Sequence, residues 1–186
     1  MIKGSLVYGF GINDADYPVN ITKGFSVYRK TIWRCPYYQK WVNMLDRAYG
    51  ERKPTYEDVT VCQEWSSFMS FRAWMQTQDW EGKELDKDLK GDGKTYSPET
   101  CMFVSKKVNM FLQLKSPNLY KGYWQISARF PDGTRHKFRR LCRESAFQEY
   151  ISSKKTALSM MSDEDCPPDV KALVEAKLQL FYEEGL

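Results

Sequence analysis

Two carboxylates flank a lysine at Asp86-Lys87-Asp88, just ahead of a glycine-punctuated stretch, Gly91-Asp92-Gly93-Lys94. On an extended strand, residues two apart point to the same face. Asp86 and Asp88 would then offer oxygen donors of the kind that hard divalent cations take. The same residues equally suit a capped, solvated turn beside Gly91 and Gly93, because Asp side chains hydrogen-bond nearby backbone amides. Lys87 is a poor general base. A free lysine titrates at about 10.4, and neighbouring aspartates favour its charged form further. As a cation it can hold a phosphate. Glu99 could serve as a base only if it reaches the attacking water.

A second set of chemically capable residues lies downstream. Arg129, Arg135, Lys137, Arg139 and Arg140 fall on two strand-like runs around the turn Pro131-Asp132-Gly133-Thr134. Alternation puts Arg135, Lys137 and Arg139 on one face and Arg140 on the other. A small sheet carrying such cations can enter a major groove, with some contacts to phosphates and others to base edges. The single histidine, His136, sits in the same run; DNA contact and simple exposure suit it equally. Cys35, Cys62 and Cys101 are widely separated and lack the paired spacing of zinc sites, so buried structural thiols are expected.

The charge is segregated. Residues 1–100 balance, with 14 Lys and Arg against 14 Asp and Glu; residues 101–160 carry 12 against 3, and residues 161–186 carry 2 against 7. A basic block beside neutral and acidic ones points to a localised polyanion-binding surface. Over 186 residues, a hydrophobic content of 42% and six tryptophans allow a sizeable core and exclude global disorder. No apolar run approaches the roughly 20 residues of a membrane span, and the first residues lack the apolar core of a signal peptide. Five cysteines without a CxxC pair suit a reducing compartment.

These residues need elements to position them. Residues 1–34 read as irregular structure with short strands such as Phe25-Ser26-Val27-Tyr28. Tyr38, Trp41, Val42, Met44, Leu45 and Tyr49 recur at helical steps, in a helix opened by Cys35-Pro36 and stopped by Gly50. A polar loop over 51–55, a strand at Val59 to Cys62 and a helix from Ser67 to Met75 follow. Strands are expected over 122–130 and 135–141, with a further strand after them short or absent. Helices are expected over 144–160 and 169–184, the last opened by Asp169. A boundary is placed at the turn-forming Lys115-Ser116-Pro117-Asn118.

Two blocks carry a resemblance. The first is Cys35-Pro36-Tyr37-Tyr38, Trp41, Met44-Leu45, Arg47, Tyr49 and Tyr56, followed by Val61-Cys62-x-Glu64-Trp65, Phe68, Phe71, Trp74-Met75, Leu85-Asp86-Lys87-Asp88-Leu89 and Tyr96-Ser97-Pro98-Glu99-Thr100-Cys101-x-Phe103-Val104. The second is Trp124 to Arg129, Asp132-Gly133, and Ala146-x-x-x-Tyr150-x-x-x-Lys154. Together they resemble bacteriophage HNH homing-endonuclease-like proteins with a C-terminal Apetala-type DNA-binding domain. In the second block, Phe138-Arg139-Arg140-Leu141 stands where that module has Leu-Gly-x-Phe.

The resemblance implies an α+β protein. A degenerate HNH, or ββα-metal, core with flanking helices would occupy 1–114. A small Apetala-type antiparallel sheet with one helix, then a C-terminal acidic helix, would occupy 115–186. It implies metal-dependent phosphodiester cleavage of double-stranded DNA, with Mg²⁺ or Mn²⁺ if the centre is active; the cysteine spacing argues against zinc. Asp86 and Asn109 become metal ligands and Asp88 adds a carboxylate; Asp86, Lys87 and Glu99 hold the catalytic positions. Lys87 stands where the family has its histidine. The alternative is a catalytically impaired derivative, acting as a DNA-binding regulator or as an inhibitor of a host defence or a competing phage. The implied setting is the cytoplasm of an infected bacterial host. The acidic helix offers a surface for a host or phage protein, and no membrane is involved.

Overall fold

Trp41, Met44 and Leu45 recur at three- and four-residue steps and are buried on one side of α1 (Pro36–Tyr49). Pro36 opens the helix, where a missing N–H is harmless. Across from it, Phe68, Phe71 and Met75 line the buried side of α2 (Phe68–Gln76), and the Ser67 hydroxyl caps that helix by accepting from Ser70 N–H. Asp14 secures the same end, accepting from the Ser67 hydroxyl at 2.6 Å and from Met69 N–H at 2.9 Å. Trp41 and Trp65 are both fully buried, and the Trp41 indole N–H donates to the Trp65 carbonyl at 2.8 Å.

The computed structural model describes residues 6–51, 58–91 and 93–185. Residues 52–55 of the expected polar loop, Tyr56, and Asp92 of the glycine turn lie outside that set. The chain is mixed α and β, and it divides into two units: residues 1–81 with 85–103, and residues 82–84 with 104–186. This division falls between Phe103 and Val104, ahead of α3 (Lys106–Phe111), whereas the sequence places the boundary after Leu114. None of its helices is long and apolar enough to cross a membrane among the described residues.

In the first unit, β1 (Asn20–Lys23) and β2 (Lys30–Arg34) pair antiparallel. The strand expected at residues 25–28 is instead a 3-10 turn over Ser26–Tyr28, joining β1 to β2. Alternation there has no core behind it: Phe25 is 91% exposed and Val27 87%. β3 (Thr60–Val61) pairs parallel with β5 (Thr95–Tyr96), so the chain after Gly93 does not return along the strand before it. β4 (Glu84–Asp86) pairs with β6 (Met102–Val104), of which Glu84 and Val104 are counted with the second unit, and α3 follows β6 in sequence.

In the second unit, β7 (Asn118–Tyr120), β8 (Tyr123–Arg129) and β9 (Arg135–Arg140) form an antiparallel sheet in that order. Gly133, at φ 88°, makes the turn between β8 and β9 possible, and Asp132 accepts there from the Thr134 amide and hydroxyl. The third strand therefore lies before the hairpin, not after it. α4 (Arg143–Ser159) packs Ala146, Phe147, Tyr150 and Ile151 inward, and Ile126 and Ala128 of β8 are buried. Val170, Val174 and Leu178 are the buried stripe of α5 (Pro168–Gly185), which packs against α4 through Phe181 and Tyr182 on Phe147.

Phe68 is fully buried, with ring centroids 5.1 Å from Tyr38 and 5.6 Å from Trp41. Phe68→Ala should lower the stability of the first unit by about 3–5 kcal/mol. Phe25→Ala, on the exposed turn, should stay within about 0.5 kcal/mol of the parent. Urea unfolding followed by tryptophan fluorescence measures both, and equal effects would contradict this core assignment.

Candidate functional site

Strand β4 ends at Asp86, and the next residues turn. Asp86 and Asp88 therefore do not share one face of a strand. Asp86 Oδ1 instead accepts from the backbone N–H of Asp88 at 3.1 Å and of Leu89 at 2.8 Å, capping the turn it starts. The capped turn is the form taken, with Asp86 buried rather than solvated. Burial pushes the Asp86 carboxyl above its ordinary value, and the nearby Asp88 charge adds to this; the two backbone amides act the other way.

Lys87 is 5% exposed. Its Nζ donates to Asp88 Oδ1 at 2.6 Å and to the Gly93 carbonyl at 2.5 Å, and lies 5.7 Å from the centre of the Tyr96 ring. These contacts explain the two glycines. A side chain on Gly93, at φ +76°, would meet Asp88 Oδ1 at 2.7 Å, and one on Gly91 would meet Thr100 Cβ at 2.8 Å. Lys87, Asp88 and the glycine turn thus form one closed unit around an ammonium.

Ser97 to Cys101 makes a tight turn in which Cys101 N–H donates to the Ser97 carbonyl and the Thr100 hydroxyl to the Thr95 carbonyl. Glu99 is exposed on it, and its carboxyl is held below the ordinary value first by the Ser97 hydroxyl. A carboxylate held ionised by a hydrogen bond is a weak proton acceptor. Asn109 is half-buried on α3 and belongs to the second unit, whereas Asp86, Lys87, Asp88 and Glu99 belong to the first. All five cysteines are free thiols. Burial pushes the Cys101 thiol up to about 12 and also raises that of Cys62.

Among the described residues, no three His, Cys, Asp or Glu side chains gather where they could hold a metal ion. Asp86 Oδ1 is directed to two amides, and the Lys87 ammonium already occupies Asp88.

The basic sheet is arranged differently. Register places Arg129 opposite Arg135, Ser127 opposite Lys137 and Gln125 opposite Arg139, all on one face. Trp124, Ile126 and Ala128 share the other face with Arg140, Phe138 and His136. Arg140 is ion-paired with Glu149 of α4, so it does not join the open cationic face. Arg129, Arg135, Lys137 and Arg139 are exposed, and no carboxylate pairs with them among the described residues. Tyr120 and Tyr123, each 49% exposed and opposite one another, extend this face.

Sequence reasoning missed Tyr120, because β7 has no buried residue to give an alternation signal, and took Tyr123 only as part of the expected strand over 122–130. It also took Lys154 only as a landmark. Its spacing of four from Tyr150 and eight from Ala146 puts it on the buried stripe of α4, where it is 5% exposed. No family model, curated protein or solved structure matches this chain.

The Asp86 carboxyl titrates above its unfolded value. Its ionised form therefore costs stability at neutral pH, and that cost disappears as pH falls below the unfolded value. Asp86→Asn retains the capping oxygen and removes the charge, so it should match or exceed the parent in stability at pH 7. Asp86→Ala loses the cap and should be about 1–2 kcal/mol less stable. Urea midpoints at pH 7 give both values; an Asn variant as weak as Ala would show that the charge itself is needed.

Proposed function

We propose that this protein binds duplex DNA through the open face of the β7–β8–β9 sheet, and that the segment around Lys87 is a scaffold and not a catalytic centre. The register of β8 and β9 carries this reading: Arg129 stands directly opposite Arg135, with Lys137 and Arg139 on the same face and no carboxylate partner among the described residues. Like charges directly opposite destabilise a strand pair. A polyanion laid on the face removes that repulsion. Along β9 the same-face cations recur about every 6.8 Å, matching the rise of about two nucleotides along a strand. Tyr120 and Tyr123 add polar hydroxyls and apolar rings at the edge of the same face.

The scaffold half of the proposal rests on Lys87. An ammonium enclosed by Asp88, Gly93 and Tyr96 is a structural group, and Asp86 is engaged in capping the turn. This is the arrangement expected of a catalytically impaired HNH derivative that acts as a DNA-binding regulator. A second reading, cleavage of DNA by an HNH-like centre, is favoured by one observation: β4 pairs with β6, and α3 follows, in strand–strand–helix order.

Binding of a fluorescent duplex should weaken with salt, with a log–log slope of roughly −3 to −4 for four phosphate-neutralising cations. Changing Arg135, Lys137 and Arg139 together to Glu should abolish binding, while Arg140→Ala should stay within a few-fold of the parent. A folded triple variant that binds as tightly as the parent would sink the proposal. Supercoiled DNA incubated with Mg²⁺ or Mn²⁺ should remain unnicked by the parent, by Asp86→Ala and by Lys87→His. Nicking by the parent that Asp86→Ala removes would favour cleavage instead.

A further inference from the structure

The second unit holds a polar cavity of about 250 Å³ whose lining is strongly one-signed. Lys115 lines it from the segment after α3, Arg129 from β8, Arg135 from β9 and Lys154 from α4, together with Ser127 and Tyr150. Among the described residues, no Asp or Glu lines it. β7 pairs only with Tyr123 to Gln125, so it ends short of the part of β8 that borders the cavity.

Lys154 is the telling member. Its ammonium is buried, donates to the Phe111 carbonyl at 2.5 Å and lies 3.9 Å from the centre of the Phe111 ring. A buried ammonium ordinarily has a carboxylate partner. None pairs with Lys154 among the described residues. Burial first, and then the nearby Lys115 charge, lower it to about 8. The carbonyl and the ring hold the ammonium in place but supply no compensating charge.

We propose that this cavity is a binding site for a phosphate monoester, whose dianionic group sits among Lys115, Arg129, Arg135 and Lys154. A dianion suits four converging cations better than the single charge of an internal phosphodiester. The volume is below the roughly 300–1,000 Å³ of sites that enclose whole drug-sized ligands. The cavity therefore takes the phosphate end of a larger molecule. That end can be the 5′-terminal phosphate of a DNA strand or a free phosphorylated metabolite. The proposal stands on the cavity and does not require the duplex reading.

The test uses the full chain at matched ionic strength, with chloride as the reference. Thermal unfolding is followed while inorganic phosphate is titrated, and binding is compared for one duplex carrying 5′-phosphate or 5′-hydroxyl ends. A saturable rise in melting temperature with phosphate supports the site. It should weaken about tenfold or more in Lys115→Ala and Lys154→Met, and persist in Lys23→Ala, which lies in the first unit. Lys115 is exposed, so Lys115→Ala remains informative if Lys154→Met fails to fold.

A preference for 5′-phosphate ends that Lys115→Ala removes assigns the ligand to DNA termini. Saturable phosphate binding without that preference assigns it to a free phosphate compound. No saturable phosphate effect together with no end preference overturns the proposal, as does a phosphate effect unchanged in Lys115→Ala. Loss of duplex binding with phosphate binding retained would remove the duplex reading and leave this site standing.

Discussion

An ammonium withdrawn from water tolerates few surroundings, and each unit of this chain holds one. Lys87 in the first unit and Lys154 in the second are each 5% exposed. Each donates to a backbone carbonyl at 2.5 Å, Gly93 for one and Phe111 for the other, and each lies over an aromatic ring. Desolvating such a charge is expensive unless hydrogen bonds and opposite charge compensate. The surroundings follow from that requirement. Around Lys87 the glycine turn folds back to bring a carbonyl within reach, and Gly91 and Gly93 leave room for Thr100 and Asp88. Around Lys154 the end of α3 supplies the carbonyl, and the missing carboxylate leaves an anion-deficient cavity.

Periodicity made the helices legible. Trp41, Met44 and Leu45, then Phe68, Phe71 and Met75, mark the inward sides of α1 and α2 at the steps the sequence displays. The β8–β9 hairpin was legible for a different reason: Asp132-Gly133 demands a turn, and the cations alternate on either side of it. Pairings between distant segments left no local trace. β3 and β5 are short and parallel, joined by residues far apart in sequence. β7 is wholly exposed and so carries no hydrophobic rhythm. The misread face at Asp86 and Asp88 has a sharper cause. A spacing of two means a shared face only while the chain stays extended, and here the strand stops at the first carboxylate.

The two regions treat their charges in opposite ways. At Lys87, charge is answered locally: one Asp86 oxygen takes two backbone amides, and the buried ammonium takes the half-exposed Asp88 carboxylate and the Gly93 carbonyl. On the sheet the reverse holds. Arg129 and Arg135 face each other across a strand pair, and Arg140, the one arginine of β9 with a carboxylate partner among the described residues, points to the helix side. Apolar packing of Ile126 and Ala128 joins the sheet to α4, while Lys137 and Arg139 stand on the other face and Arg129 and Arg135 also border the cavity that Lys154 lines.

The β1–β2 hairpin has a consequence for how the protein behaves at high concentration. Phe25, Val27 and Tyr28 project at 81–91% exposure from the tip of a two-stranded sheet with no residue of either strand fully buried. A short ribbon of this kind offers free edges to any other chain. Lys23, Arg29 and Lys30 border the apolar tip, and charges so placed act as gatekeepers against self-association. The hairpin thus ties colloidal solubility to three cations that the core does not need, so changes there would alter the yield of soluble protein before they altered its fold.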